Sequence, residues 1–440
     1  MKNIHKTLTF IFLFVTAMFT ATAQSADVSG YEIKINAQNI SQGSLYLQGY
    51  KGQEVFILDS AKVKGHKSVV FKNNKKTIPT GIYAVVDKQG NEYVNLIIDH
   101  NRKFSVNGEE FDARFVATAT VEDSDENTQF VEFQKKLATS DNPYKVAELF
   151  HEAIPASFLG HFIKAKYNLS NPSLLSEDNG DDSTQYQQLI HHYFDSYTFD
   201  DGRLLHTPVY LDVENYFFEI LPQHADTIGP KVMDFLHRFQ DTESFEYYLS
   251  LLMNMFDHTM NNMAAEQVFV MLYDHFCDGK TFSTLHGDLI KYYQRTADRK
   301  RKILPGQTIP ALKAYDLQNK EHLSSDITKD YIILWFWDPD CDDCVEMTPK
   351  LHAFYQEYAN DYNVEVFAVA ITEDIERWDK FCREQKLSWI NTCDGIDTPN
   401  YDFIDYFDII TTPVIYLLDK NHTIIAHSFP LEELHNFFIH

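Results

Sequence analysis

The spacing of apolar and polar residues changes twice along the chain and predicts three regions. Residues 27–112 alternate apolar and polar positions in short runs such as Tyr31–Asn36, which is typical of β-strands. Residues 113–300 repeat apolar positions three and four apart, as in the stretch 228–239, which indicates helices. Residues 303–440 alternate short apolar runs with amphipathic stretches. The pattern predicts an all-β sandwich, then an all-α helical domain, then an α/β domain.

The clearest strand of the last region is Tyr331–Trp337, a run of seven bulky apolar residues. Such a run predicts a central strand that is buried on both faces. Val364–Ile371 predicts a second buried strand, and residues 414–427 predict a hairpin. Asp342–Tyr362 predicts a helix that is interrupted at Pro349. These elements predict a small central sheet with helices on both faces.

Two cysteines, Cys341 and Cys344, follow the predicted central strand after a turn that contains proline. Their spacing places the first sulfur at the N-terminus of a helix and the second sulfur one turn further in. The exposed backbone N–H groups of that terminus stabilise a thiolate at the first position. The chain has no second Cys-x-x-Cys with which to complete a zinc cluster. The pattern therefore predicts a redox-active dithiol and no metal site.

The overall charge narrows the classes of partner. The chain has 440 residues, too many for one ordinary domain, and a formal net charge of −26. An acidic balance of this size argues against binding to nucleic acid or to anionic lipid, and it is interpreted as a solubility feature. One short basic run, Asp298–Lys302, is interpreted as a solvated linker ahead of the last domain.

Residues 1–23 are typical of a cleaved secretory signal peptide. Lys2 and Lys6 precede the apolar stretch Leu8–Phe19, and Ala21–Ala23 provides a small-x-small cleavage site. The apolar stretch is short for a membrane-spanning helix. The sequence therefore predicts export to the periplasm or cell envelope.

The remaining cysteines are too few for a disulfide framework, since the chain has only five in all. Cys277 lies on an apolar helix face and is interpreted as a buried structural thiol. Cys382 shares an apolar face with Trp378, and Cys393 follows a predicted strand. Whether Cys382 and Cys393 form a disulfide or a redox relay is left open.

The dithiol, Pro349 and Thr412-Pro413, in this order along the last region, resemble the thioredoxin fold and, within it, the exported TlpA/ResA-like thiol–disulfide oxidoreductases. Leu304–Pro310 resembles the entry segment of that family and Trp335–Cys341 its approach to the active site. Pro349 follows the dithiol, and Thr412-Pro413 opens the hairpin.

Two further resemblances concern the regions that precede this domain. The segment Phe56–Val63, with Phe71 and Gly81–Tyr83, resembles a β-sandwich domain of unknown function that precedes thioredoxin-like domains. Residues from Asp201 to Val209 resemble a helical domain of unknown function that is found between the two. Neither resemblance implies catalytic residues.

The resemblance to the oxidoreductases implies roles for six residues. Cys341 would be the attacking thiolate and Cys344 the resolving thiol, so that the redox-active disulfide Cys341–Cys344 is the only redox group and no separate cofactor is needed. Pro413 would be a cis-proline beside the dithiol, and Thr412 would offer backbone groups to an extended substrate. Trp337, together with Phe336, would shape an apolar rim that contacts the substrate.

Three acidic residues near the dithiol differ from the family pattern. Asp342 and Asp343 stand between the two cysteines, where each charge disfavours a neighbouring thiolate by on the order of 1 kcal/mol. This predicts a reductase or isomerase and not a strong oxidant. Relatives place a proton-shuttling Glu at the position of Met347, whereas here the carboxylate is Glu346, about 100° round the helix. Glu346 is therefore only a candidate for tuning the thiols.

The function predicted from these residues is reduction or isomerisation of disulfides in client proteins, with electrons from a membrane-bound thiol donor. One alternative is a peroxide reductase of the peroxiredoxin kind, although Asp338 stands where that family needs Thr. The other alternative is a non-catalytic envelope interaction protein with a vestigial dithiol. Whether the chain forms a homodimer is left open.

Overall fold

The three regions differ in architecture as the apolar spacing predicts: a β-rich region, a helical region and a C-terminal α/β domain. The computed structural model describes residues 30–439, except 41–42, 66, 76, 113, 171–181, 240–241, 260–261, 397–402 and 435. The predicted signal peptide lies outside the described residues.

The β-rich region consists of two four-stranded sheets with strand orders β4-β1-β7-β8 and β3-β2-β5-β6. Alternate side chains from both sheets enter one shared apolar core, as the period-two pattern requires. The last strand, β8, pairs with β7, so this sheet continues beyond the boundary predicted at residue 112. The strands are β1 (Tyr31–Gln38), β2 (Ser44–Lys51), β3 (Glu54–Lys62), β4 (Ser68–Asn73), β5 (Gly81–Val86), β6 (Glu92–Ile98), β7 (Lys103–Glu110) and β8 (Thr120–Glu122), with the short helix α1 (Phe115–Thr118) before β8.

The helical region packs its apolar stripes into one large core. Several helices begin at a side chain that accepts a backbone N–H; Thr242, predicted as such a cap, accepts from Phe245. The helices are α2 (Asp125–Thr139), α3 (Pro143–Ala153), α4 (Phe158–Lys166), α5 (Asp182–His192), α6 (Ala225–His237), α7 (Glu243–His258), α8 (Met263–Leu272) and α9 (Gly287–Arg301). Short π-helical turns lie at Asn215–Ile220 and Tyr273–Cys277.

Side chains of α2 hydrogen-bond to the backbone of the edge strand β6. The side chain of Asn127 donates to the carbonyl of Ile97 and accepts from its N–H, both at 2.8 Å. Gln134 makes the same pair of contacts with Asn95, at 2.9 and 3.1 Å. The first helix of the helical region therefore satisfies backbone groups that a neighbouring strand would otherwise take.

The C-terminal domain is built on a seven-stranded sheet with the order β10-β9-β13-β12-β11-β14-β15. β11 lies parallel to β12 and antiparallel to β14, and separate apolar clusters cover its two faces. The predicted central strand is confirmed. The strands are β9 (Lys313–Tyr315), β10 (Glu321–Leu323), β11 (Tyr331–Trp337), β12 (Val364–Ala370), β13 (Ile390–Cys393), β14 (Val414–Asp419) and β15 (Ile424–His427). The helices are α10 (Asp342–Tyr358), α11 (Ile375–Gln385), α12 (Phe403–Tyr406) and α13 (Asn436–Ile439).

The predicted interruption of α10 is wrong. Helix α10 continues through Pro349, where an interruption was predicted. The missing N–H of Pro349 removes one hydrogen bond, but Leu351 and His352, in the following turn, are buried and hold the helix in place by packing.

Within the part of the chain that the structure describes, no helix is both long and apolar enough to cross a membrane.

Candidate active site at Cys341 and Cys344

The dithiol lies where the central strand β11 leads into helix α10. A turn forms between them because the side chain of Asp338 accepts the N–H of Asp340 at 2.8 Å and its carbonyl accepts the N–H of Cys341 at 3.1 Å. Asp340 also forms an ion pair with Arg377 of α11. Cys341 is thereby held as the N-cap residue of α10, the position that the spacing predicted for the first sulfur.

The two sulfurs have different surroundings. The Cys341 side chain is partly exposed and accepts the N–H of Cys344 at 3.3 Å, whereas Cys344 is 0 % exposed. Burial and the contact with Cys341 raise the pKa of the Cys344 thiol to about 12, although the N–H of Asp338 lies 3.5 Å from its sulfur. Of the two thiols, Cys341 is therefore the one that is accessible from outside the domain.

The loop before β14 completes the site. The Thr412–Pro413 peptide bond is cis, as the family resemblance implied. The thiol of Cys341 donates to the carbonyl oxygen of Thr412 at 3.3 Å. This contact follows from the topology, because β14 pairs with β11 and places its first residue, Val414, beside Phe336.

The prediction that Trp337 and Phe336 form a substrate rim is wrong. Both side chains are 0 % exposed. Trp337 packs against Phe381 of α11 in the same cluster as Cys344, and Phe336 stacks on Phe403 in the cluster of the opposite face. A central strand with helices on both faces leaves neither set of side chains free.

The acidic residues of α10 lie on the surface. Asp342 and Asp343 are exposed in its first turn, and among the described residues no cation lies within salt-bridge distance of either. Glu346 is also exposed and pairs with Lys350 at 2.7 Å, which lowers the pKa of its carboxyl. Glu346 and the buried Cys344 are two residues apart, which puts them on opposite sides of the helix. This geometry does not support Glu346 as a proton shuttle for Cys344.

The other three cysteines are free thiols in buried or half-buried positions. Burial raises the pKa of Cys277 and of Cys382 to about 12, and that of Cys393 to about 11. Cys393 contacts the carbonyl oxygen of Thr372 at 3.4 Å. Cys382 and Cys393, whose pairing was left open, are unpaired in this structure.

A group of buried titratable side chains, which was not predicted from the sequence, lies between the helical region and the α/β domain. Lys300, which was assigned to a solvated linker, lies in the last turn of α9 with only 5 % of its side chain exposed. It faces Asp257 and Asp408, while Glu266 of α8 lies 3.3 Å from His427 of β15. Neither linker composition nor spacing could reveal these partners, because they are far apart in the chain.

Comparison with known proteins agrees with this geometry. A family model described as thioredoxin-like matches residues 329–424, and a model of a domain of unknown function, DUF4369, matches residues 31–130. A thiol-disulfide oxidoreductase ResA from Geobacillus thermodenitrificans is 26% identical over 129 residues, which are 29% of this chain and 71% of that protein.

Two solved structures are also similar to the C-terminal domain. One is a domain of a possible thiol-disulfide isomerase from Cytophaga hutchinsonii, with 35% identity over 31% of this chain and 91% of that one, and a TM-score of 0.29. The other is the thioredoxin domain of a thiol-disulfide oxidoreductase from Bacteroides vulgatus, with 25% identity over 30% of this chain and 94% of that one, and a TM-score of 0.27.

The sheet order, the Cys-x-x-Cys at a helix start and the matched family model define the C-terminal domain as thioredoxin-like. Through this domain the chain is similar to thiol–disulfide oxidoreductases.

Proposed function

We propose that this protein is exported and that it reduces or isomerises disulfides in client proteins through Cys341 and Cys344. The observation that carries the proposal is the asymmetry of the two thiols. One is partly exposed at a helix N-cap beside a cis-proline loop, and the other is buried behind it with a raised pKa. This arrangement suits a first thiol that attacks and a second thiol that reacts only within the protein.

In the first step the thiolate of Cys341 attacks one sulfur of a client disulfide. The client S–S bond breaks, a mixed disulfide forms on Cys341, and the other client sulfur leaves as a thiolate that takes up a proton. The backbone N–H of Cys344 and the N-terminus of α10 stabilise the attacking thiolate.

In the second step Cys344 loses its proton and attacks the sulfur of Cys341. The mixed disulfide breaks and the second client thiol is released. The client has then gained two electrons, and the protein, which has lost them, holds the disulfide Cys341–Cys344. Among the described residues no carboxylate contacts the Cys344 sulfur, so water or the departing client thiolate takes the proton. A membrane-bound thiol donor would restore the dithiol.

Exposed apolar side chains flank the dithiol where the client would bind. Val345, one turn after Cys341, is 40% exposed, and Ile410, two residues before Thr412, is 61% exposed. These residues take the place that the sequence analysis gave to Trp337. Exposed apolar side chains beside the backbone of Thr412 suit an extended client segment.

Selective alkylation tests the asymmetry of the thiols. In the folded, reduced protein at pH 8, iodoacetamide should label Cys344 at least about a hundredfold more slowly than Cys341, because burial and the raised pKa keep Cys344 protonated. Peptide mass spectrometry measures the labelling of each cysteine, and labelling in urea gives the reference for equal access. Equal rates in the folded protein would contradict the proposed roles.

Exchange of the two intervening aspartates tests the direction of the chemistry. The Asp342→Asn/Asp343→Asn variant should have a higher, more oxidising potential than wild type, because removing each charge favours the Cys341 thiolate and with it the reduced form. On the order of 1 kcal/mol for each charge corresponds to roughly 20 mV. Equilibration with glutathione buffers measures the potential.

The control for this variant is Asp361→Asn, an exposed site beyond the opposite end of α10. It should leave the potential unchanged. A strongly oxidising wild-type potential, or a lower potential in the double variant, would count against a reductase. Consumption of hydrogen peroxide by the wild type would instead favour the peroxide reductase alternative.

A further inference from the structure

The carboxylate of Asp408 connects the helical region to the loop that carries the cis-proline. Asp408 follows α12 and lies four residues before Thr412, with a backbone φ of +51°. Its side chain is 9 % exposed and lies within ion-pair distance of two cations of α9. The Nε of Arg299 lies 2.9 Å from Oδ1, and the Nζ of Lys300 lies 3.9 Å from Oδ2.

Both cations belong to the helical region, and Lys300 also has other contacts there. The side chain of Lys300 is 5 % exposed and also lies 3.7 Å from Asp257 of α7. Lys300 further lies over the ring of Phe269 of α8. Leaving a buried charge without its partner strongly destabilises the folded protein. The position of Asp408 therefore depends on that of helices α7, α8 and α9.

The segment around Asp408 is also tied to the substrate loop. The N–H of Ile409 donates to the carbonyl of Ile404 at 2.9 Å, and the hydroxyl of Tyr416 in β14 donates to the carbonyl of Phe407 at 2.8 Å. Only residues 409–411 separate Asp408 from Thr412, whose carbonyl contacts Cys341. A shift of Asp408 therefore displaces the backbone that faces the dithiol.

We propose that Arg299 and Lys300 are positioning residues for the client-binding loop and act on it through Asp408. The helical region then sets the affinity of the thioredoxin-like domain for clients and is more than a spacer. This proposal rests on the proposed function in one respect, namely that clients bind along Thr412–Pro413.

The test uses the full-length protein with Arg299→Gln and, separately, Asp408→Asn. Asparagine tolerates positive φ and keeps the shape of the side chain, so Asp408→Asn removes the charge without straining the loop. In the reduction of insulin disulfides by the reduced protein, each variant should have a KM about tenfold higher and a nearly unchanged kcat. A loop that only binds the substrate stabilises the bound state and the transition state equally. Arg299→Lys should restore part of the loss.

Two measurements separate positioning from general damage. The redox potential of the dithiol should stay at the wild-type value in both variants. Hydrogen exchange of residues 403–416, followed by mass spectrometry, should become at least about tenfold faster in both, since the hydrogen bond of Ile409 loses its support. The matched control is Arg301→Gln, which removes a neighbouring cation of α9. In the part of the chain that the structure describes, Arg301 pairs with Asp274 and Asp298 of the helical region.

Wild-type exchange of residues 403–416 in Asp408→Asn, or equal effects of Arg299→Gln and Arg301→Gln, overturns the proposal. Faster exchange with an unchanged KM also overturns it, because the loop is then held for another purpose. Wild-type protein that reduces no disulfide refutes the proposed function. In that case the exchange result alone decides whether the helical region holds the loop.

Discussion

Replacing Cys341 with serine should abolish the reduction of insulin disulfides, lowering the rate by at least about three orders of magnitude to the background of the added thiol. Serine has nearly the same shape, so the N-cap of α10 remains, but its hydroxyl is not ionised at neutral pH and cannot attack a disulfide. Turbidity of precipitating insulin chains, with dithiothreitol as electron source, measures the rate.

The companion variant Cys344→Ser should behave differently. It keeps the attacking thiolate but lacks the thiol that resolves the intermediate, so mixed disulfides should accumulate on Cys341. Capture of these adducts from envelope extracts, followed by non-reducing electrophoresis and mass spectrometry, would also name the clients.

Cys382→Ser is the matched control for both variants, since that thiol lies half-buried in α11 of the same domain. It should retain wild-type activity and trap no adducts. Full activity of Cys341→Ser would mean that the dithiol is vestigial, and the chain would then be an interaction protein.

A second large effect should follow from Glu266→Gln at the interface between α8 and β15. Burial, more than any neighbouring charge, raises the pKa of Glu266 to about 7, and burial with the charge of Lys300 lowers that of His427 to about 3. Both groups are therefore neutral near pH 6. The Oε2 of Glu266 and the Nε2 of His427 are buried 3.3 Å apart, and neither has another hydrogen-bond partner among the described residues. A protonated Glu266 donating to His427 satisfies both.

The sign of the pH effect follows from these values. Folded wild type keeps the Glu266 proton up to about pH 7, whereas the unfolded chain releases it near 4.5. The contribution of Glu266 to stability is therefore lost as pH rises from 4.5 to about 7, by on the order of 3 kcal/mol, whereas glutamine, which cannot ionise, makes no such pH-dependent contribution. Glu266→Gln should match wild type at pH 4.5 and be the more stable protein at pH 8, as judged by urea unfolding.

Three charged side chains near Glu266 also affect its ionisation. Lys300 and Arg299 favour an ionised Glu266, and Asp408 opposes it. If Glu266→Gln is less stable than wild type at pH 8, Glu266 is a carboxylate that these cations hold in place. Glu219→Gln, at an exposed site of the helical region, should change stability little at either pH.

Features of the site that depend on neighbouring residues in the sequence could be predicted from it. A run of apolar residues specifies β11, and the cysteine spacing specifies a sulfur at the start of α10. The cis-proline came from family resemblance, since sequence does not show which isomer an X-Pro bond adopts. The burial of Trp337 could have been deduced from the same run, because a strand covered on both faces has no exposed rim.

The ionic contacts between regions could not be predicted in this way. Asp298–Lys302 is polar enough for a linker, and only the tertiary structure shows that Lys300 points inward to two carboxylates. Glu266 and His427 likewise meet through packing of distant elements. Periodicity describes how one element is buried, and it carries no information about which element covers it.

The side chains of α2 that follow the backbone of β6 have a consequence for how the chain can be divided. β6 is the last strand of its sheet, and an open edge of this kind is a template for pairing with another molecule. Asn127 and Gln134 occupy that edge with amide groups that imitate a neighbouring strand. A fragment that ends at residue 112 would expose this unpaired strand edge, which α2 covers in the intact protein. We therefore expect the β-rich region to fold and to stay soluble only together with α2.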